Sequence, residues 1–165
     1  MTPIVIEQNQ ADVKLAFTVQ QNANISRVRL ANSRIDSELP IDGEGAIAVS
    51  FNFKSRVLTG GAPDTLRLRI DFSVIGQCET TSLGLRRIIR IDSGYEVDYS
   101  LRDGFQLTPA QAKAFKNGNA VFNVWPYFRE YVQSTVERMG LPPLTAPFLR
   151  LQPKAMASNE PLAES

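Results

Sequence analysis

Glu96 and Asp98 lie two residues apart in a stretch whose apolar residues alternate. On a strand, that spacing puts both carboxylates on one face, about 7 Å apart at Cβ. Such a pair suits acid–base chemistry or a divalent cation. The same face would carry Arg67, Arg69 and Arg90 as cross-strand partners, so a solvated, self-neutralising strand face also accounts for it. Nothing else in the chain supports an active site. There is no histidine, which removes Ser-His-Asp and Cys-His pairs, histidine bases and most zinc or iron sites. Cys78, the one cysteine, lies near Arg86 and Arg87. Those charges could lower its thiol pKa, but a single thiolate builds no zinc site. Neither common phosphate cradle is present, and Gly60-Gly61 reads as a hairpin turn. The expectation is no enzyme, no metal and no cofactor.

Arginine supplies 13 of the 18 basic residues. Those at 27, 29, 67, 69, 86, 87 and 90 could form a stripe that binds nucleic acid. Acids are interleaved among them and no aromatic is placed to stack a base, so nucleic acid is not an expected partner. The formal net charge of +1 provides no global field for a polyanion either.

A length of 165 residues, with 43% hydrophobic and 21% charged, suits one globular domain with a core of its own. A lone cysteine is compatible with a reducing compartment. The start, MTPIVIEQNQ, lacks a basic region and an apolar core. No run approaches the roughly 20 apolar residues of a membrane span. A cytoplasmic location without membrane insertion is therefore expected.

The elements that would position these residues follow from hydrophobic periodicity. Residues 1–24 are ambiguous: Ile4–Ile6 and Val13–Val19 have strand-like content, which suggests an arm or an extra edge strand. Alternation is clear in Ser26–Asp36 and in Ala46–Leu58, where Ile47, Val49, Phe51, Phe53 and Val57 share a face. It continues in Leu66–Val74 and, after a connection around Gly76–Gly84, in Ile89–Leu101. Consecutive strands with short turns predict an antiparallel meander with one wet face. Thr108 then caps a short helix opened by Pro109. A long amphipathic helix is predicted from near Asn123, which keeps Pro126 in the first turn, to Gly140. A proline-punctuated apolar arm or helix follows. The class is α+β, with the main domain over 25–152 and a polar, disordered tail at 153–165.

Helix and arm carry more apolar surface than one core obviously needs. Tyr127, Tyr131, Ser134 and Arg138 repeat at helical spacing on a flank beside the apolar stripe, which suggests an oligomer interface.

The segment Trp125-Pro126-Tyr127-Phe128-Arg129-Glu130-Tyr131-Val132, followed by Arg138-Met139-Gly140-Leu141-Pro142-Pro143-Leu144-Thr145, resembles the signature helix and following segment of the SecB family of protein-export chaperones. The order of elements agrees over roughly 25–151. This resemblance implies a homotetramer, a dimer of dimers, that holds unfolded or precursor polypeptides in apolar grooves without ATP. It also implies a groove between the second strand and the helix-plus-arm, which nominates Val49, Phe51, Phe53, Leu144, Phe148 and Leu149. Members that hand clients to the SecA motor are strongly acidic. Here the pI is about 7.8, the outer sheet face would carry arginines, and the acidic tail is missing, so like-sign repulsion would weaken docking of a basic SecA tail. From Leu107-Thr108-Pro109 through the PPLT segment, the chain resembles the SecB-like chaperones of toxin–antitoxin systems at least as well. Those protect an antitoxin, so precursors with SecA and a dedicated antitoxin-like partner both stand as candidates.

Overall fold

In the computed structural model the described residues are 2–38, 47–80, 84–141 and 143–154, without the side chains of 78–80 and 84–87. Strand pairing sets Cys78 opposite Arg86, but the side chains of Cys78, Arg86 and Arg87, and the expected tail from 155 onward, lie outside them. In chain order the elements are β1 (Ile4–Gln8), α1 (Gln10–Asn22), β2 (Ala23–Ser37), β3 (Ile47–Val57), β4 (Thr65–Thr80), β5 (Gly84–Leu101), α2 (Pro109–Asn117), α3 (Asn119–Arg138) and β6 (Leu149–Pro153).

The α+β class and the four-stranded antiparallel sheet are as the alternation predicts. The strand order is β2-β5-β4-β3. Only β3, β4 and β5 run as a meander, and β2 sits beside β5, a Greek-key arrangement. Charge explains the choice. Beside β5, Arg27 and Arg29 meet Asp98 and Glu96. Beside β3 they would have joined a strand that carries Lys54 and Arg56. The β4–β5 connection is also tighter than the predicted loop at Gly76–Gly84, because pairing continues to Thr80 opposite Gly84.

One sheet face is dry. Leu68, Ile70, Phe72 and Val74 of β4, and Ile91, Val97 and Tyr99 of β5, are fully buried beneath Val121, Val124, Phe128 and Val132 of α3. Phe128 stacks on Phe72 with centroids 4.5 Å apart and an interplanar angle of 13°. Trp125 meets Phe72 edge-on at 5.6 Å. Each such pair adds about 0.5–1.5 kcal/mol beyond area burial. Burial also holds the Tyr99 hydroxyl up to about 12.

Helix α2 begins as predicted, with a capping box between Thr108 and Gln111. Helix α3 begins a turn earlier than predicted, at Asn119, so Pro126 is inside it. An interior proline forfeits a hydrogen bond and costs about 3 kcal/mol. Complete burial of Ala120 and Val121 in that extra turn offsets the cost.

Residues 4–22 form a strand and a helix apart from the main sheet, in place of an arm or an extra edge of it, and Ala23 and Asn24 open β2. Strand β1 pairs in parallel with β6, from Ile4 opposite Leu149 to Gln8 opposite Pro153. Pro153, expected in a disordered tail, therefore ends a strand. Val13–Val19 is helical. The Asn9 side chain caps α1 by accepting from the Asp12 N–H at 2.7 Å, and Ala16 and Val19 are buried. Their three-residue spacing fits a helix, and a short apolar run satisfies either periodicity until packing decides. Among the described residues, no helix is long and apolar enough to cross a membrane.

Candidate apolar groove

Helix α3 ends at Arg138, and Gly140 just past its Met139 cap takes a φ of 68° that glycine adopts without strain. The N–H of Leu141 then donates to Val136 O at 3.2 Å and turns the chain back. Leu141, Pro143 and Leu144 of the returning arm form one wall of an apolar trough of about 200 Å³. Ile47 and Val49 of β3 form the opposite wall, Ile88 and Ile89 of β5 the floor, and Val136, Leu141, Pro143 and Leu144 the near side. Among the described residues, no charged or hydrogen-bonding side chain lines it. Gly76 also lies on the floor: a Cβ there would come within 2.7 Å of the Ile89 Cγ2, so any larger residue must displace the floor or fill the space.

The arm is fastened. The indole N–H of Trp125 donates to Pro147 O at 2.9 Å, and Arg129 Nε donates to Ala146 O at 2.8 Å. The Arg129 guanidinium lies 4.6 Å from the centroid of the Phe148 ring. Beyond it, the Ile4 N–H donates to Phe148 O at 2.8 Å, and β6 continues beside β1. Strand β1 is itself anchored, since Gln8 Nε2 donates to Ala114 O at 3.0 Å.

The six nominated groove residues separate into three groups. Val49 and Leu144 face each other across the trough. Phe51 and Phe53 lie farther along the same face of β3 and are half-buried. Phe51 meets Trp125 and Phe128 edge-on at 6.2 and 6.4 Å, and Phe53 packs 6.4 Å from Phe72. Leu149 is buried, whereas Phe148 is 70% exposed. Sequence reasoning missed Ile47, Ile88, Ile89, Val136 and Leu141. Ile47 was legible through its alternation with Val49; the others converge only through tertiary contact. Tyr127, Tyr131, Ser134 and Arg138 do share one flank of α3. Tyr127 is half-exposed and Arg138 exposed, while Tyr131 packs partly into the core.

Glu96 and Asp98 lie on the opposite, wet face of the sheet and are occupied by arginines. Asp98 Oδ2 accepts from Arg27 at 2.6 Å and its Oδ1 from Arg67 at 3.2 Å. Glu96 accepts from Arg29 at 2.5 Å. The hydrogen bond from Arg29, helped by the charges of Arg29, Arg69 and Arg67, holds the Glu96 carboxyl below its ordinary range against partial desolvation. A carboxylate held ionised this way is a poor general acid. Among the described residues, no three potential ligands gather for a metal ion.

No family model and no curated protein matches this sequence. Solved structures do. The SecB-like chaperone Rv1957 of Mycobacterium tuberculosis, solved with a ChAD peptide from the Rv1956 HigA1 antitoxin, superposes with a TM-score of 0.73 and 20% identity, over 84% of this chain and 99% of its own. A protein of unknown function from Streptococcus agalactiae aligns at a TM-score of 0.46 and 10% identity, over 76% and 97%. Four antiparallel strands, the long helix across them and the returning arm therefore constitute a SecB-like fold.

Proposed function

We propose that this chain is a chaperone that binds non-native or precursor polypeptide in its apolar trough and holds it soluble without ATP. The observation that carries this reading is the trough itself, an aliphatic slot beside an arm fixed by two side-chain hydrogen bonds. A slot lined by apolar side chains accepts apolar groups without reading sequence. Exposed Phe148, backed by Arg129, extends the apolar surface beyond the slot. Binding of this kind needs no turnover, cofactor or metal.

We place the protein in the cytoplasm as a homotetramer, a dimer of dimers. Strand β2 supports self-association: it is an edge strand, and Ile25, Leu30 and Ile35 on its core side are 46%, 42% and 42% exposed. The Tyr127–Arg138 flank of α3 supplies a second contact.

The test is suppression of aggregation of a chemically unfolded protein, without nucleotide, over a range of ratios. Saturable protection near one oligomer per client is expected. A well-folded oligomer that gives no protection would contradict a general holdase.

A dedicated partner is the second reading, favoured by the antitoxin peptide in the Mycobacterium tuberculosis complex. In that case one short peptide saturates the trough and unfolded clients do not compete. Delivery to SecA is the least supported partnership, because the wet sheet face carries arginines where a basic tail would dock.

A further inference from the structure

The wet face of the sheet is ordered in rungs across its four strands. Arg27, Asp98 and Arg67 form one rung, and Arg29, Glu96, Arg69 and Arg56 form the next. These two rungs set five arginines against two carboxylates, a surplus of three positive charges. Each of the following three rungs is neutral by register, with Asp71 opposite Lys54, Arg34 against Asp92, and Asp36 against Arg90, and Asp71 reaches back to accept from Arg69 at 2.7 Å and from Arg56 at 3.4 Å. Among these five rungs, the surplus positive charge thus lies at one end of the face.

The carboxylates order the arginines instead of cancelling them. Asp98 holds Arg27 and Arg67, and Glu96 holds Arg29 at 2.5 Å and Arg69 at 3.6 Å. The side chains of Asp98 and Glu96 are 12% and 16% exposed, against 53% for Arg27, 52% for Arg29 and 62% for Arg56. Solvent therefore meets the guanidinium groups of Arg27, Arg29 and Arg56, while Arg67 and Arg69, 27% and 13% exposed, lie beneath them. Each guanidinium has five N–H donors, more than these contacts use, and a fork geometry suited to carboxylates. With no histidine in the chain, the patch keeps its charge through the neutral range.

The geometry points to a docking surface for an acidic polypeptide segment at this end of the sheet. An extended peptide with acids at alternate positions presents carboxylates about 7 Å apart, the spacing of exposed Arg27 to Arg29 along β2. Nucleic acid fits less well. No aromatic side chain stands among the rungs to stack a base, and Asp98 and Glu96 sit in the centre of the patch, where closely spaced phosphates would approach them. This inference does not rest on the chaperone reading, since the trough lies on the other face.

Anisotropy of a fluorescein-labelled polyglutamate peptide of about twenty residues, titrated with the whole chain, tests it. Saturable binding that weakens with added salt is expected, reduced about tenfold in R27Q/R29Q/R56Q, which brings the two rungs to neutrality. Arg34→Gln, in a neutral rung, should bind like the unmodified chain. If the triple variant fails to melt like the parent, Arg56→Glu at the sheet edge gives the reading instead, with the same direction of effect. Absence of saturable binding, or equal binding by the neutralised variant, overturns the proposal. Tighter binding of a single-stranded RNA of the same length overturns the choice of polypeptide.

Discussion

The indole N–H of Trp125 donates to the carbonyl oxygen of Pro147 at 2.9 Å, in a buried site where α3 crosses under the returning arm. This bond joins the core helix to the groove wall. Its donor ring also packs against Phe51, Phe72 and Phe128. Trp125→Phe would keep an aromatic ring in the core but leave the carbonyl unpaired, at a cost of about 1–3 kcal/mol. Hydrogen exchange should accelerate at Leu149–Leu151 more than in β4. Uniform acceleration would mean that the bond stabilises the whole fold and not the arm.

Phe148 and Phe51 should respond differently to the same substitution. Phe148→Ser removes an exposed ring and is expected to leave the melting temperature within about 2 °C, given the small effect of surface changes, while weakening client capture. Phe51→Ser removes a ring from the aromatic cluster and should cost about 3–5 kcal/mol of stability. Calorimetry with an aggregation assay separates the two. Full client protection by Phe148→Ser would remove that residue from the groove.

Tyr127 is the better probe of assembly than Tyr131, because it is half-exposed while Tyr131 packs against the core. Tyr127→Asp should split the oligomer, since an unpaired charge buried at an interface costs several kcal/mol. Native mass spectrometry reads this directly, and an unchanged mass would put the α3 flank outside the interface.

The acid limb of stability should depend on Glu96. Its folded-state pKa is depressed by the hydrogen bond from Arg29, so the stabilisation is fully present above the unfolded value of 4.5 and is lost as pH falls through the folded value. In Glu96→Gln, the denaturation midpoint should fall less steeply below pH 4.5. The steepness would be unchanged if the Arg29 pair contributed nothing.

Sequence alone determined the alternating strands, the capped helix at Thr108 and the body of the long helix up to the Gly140 reversal, because periodicity and capping are local properties. It also showed that the chain lacks the residues for histidine or multi-thiolate chemistry. Tertiary structure decided the rest. Val13–Val19 fits both periods, and only packing of Ala16 and Val19 made it helical. Pro126 argued for a late start to α3, until burial of Ala120 and Val121 outweighed the lost hydrogen bond. The pairing of β2 with β5 depends on charges more than sixty residues apart, Arg29 with Glu96, that no local pattern links. The trough draws Ile47, Ile89, Val136 and Leu144 from four separate segments. Its shape exists only once the strand order, the Gly140 reversal and the Trp125 bond have brought them together.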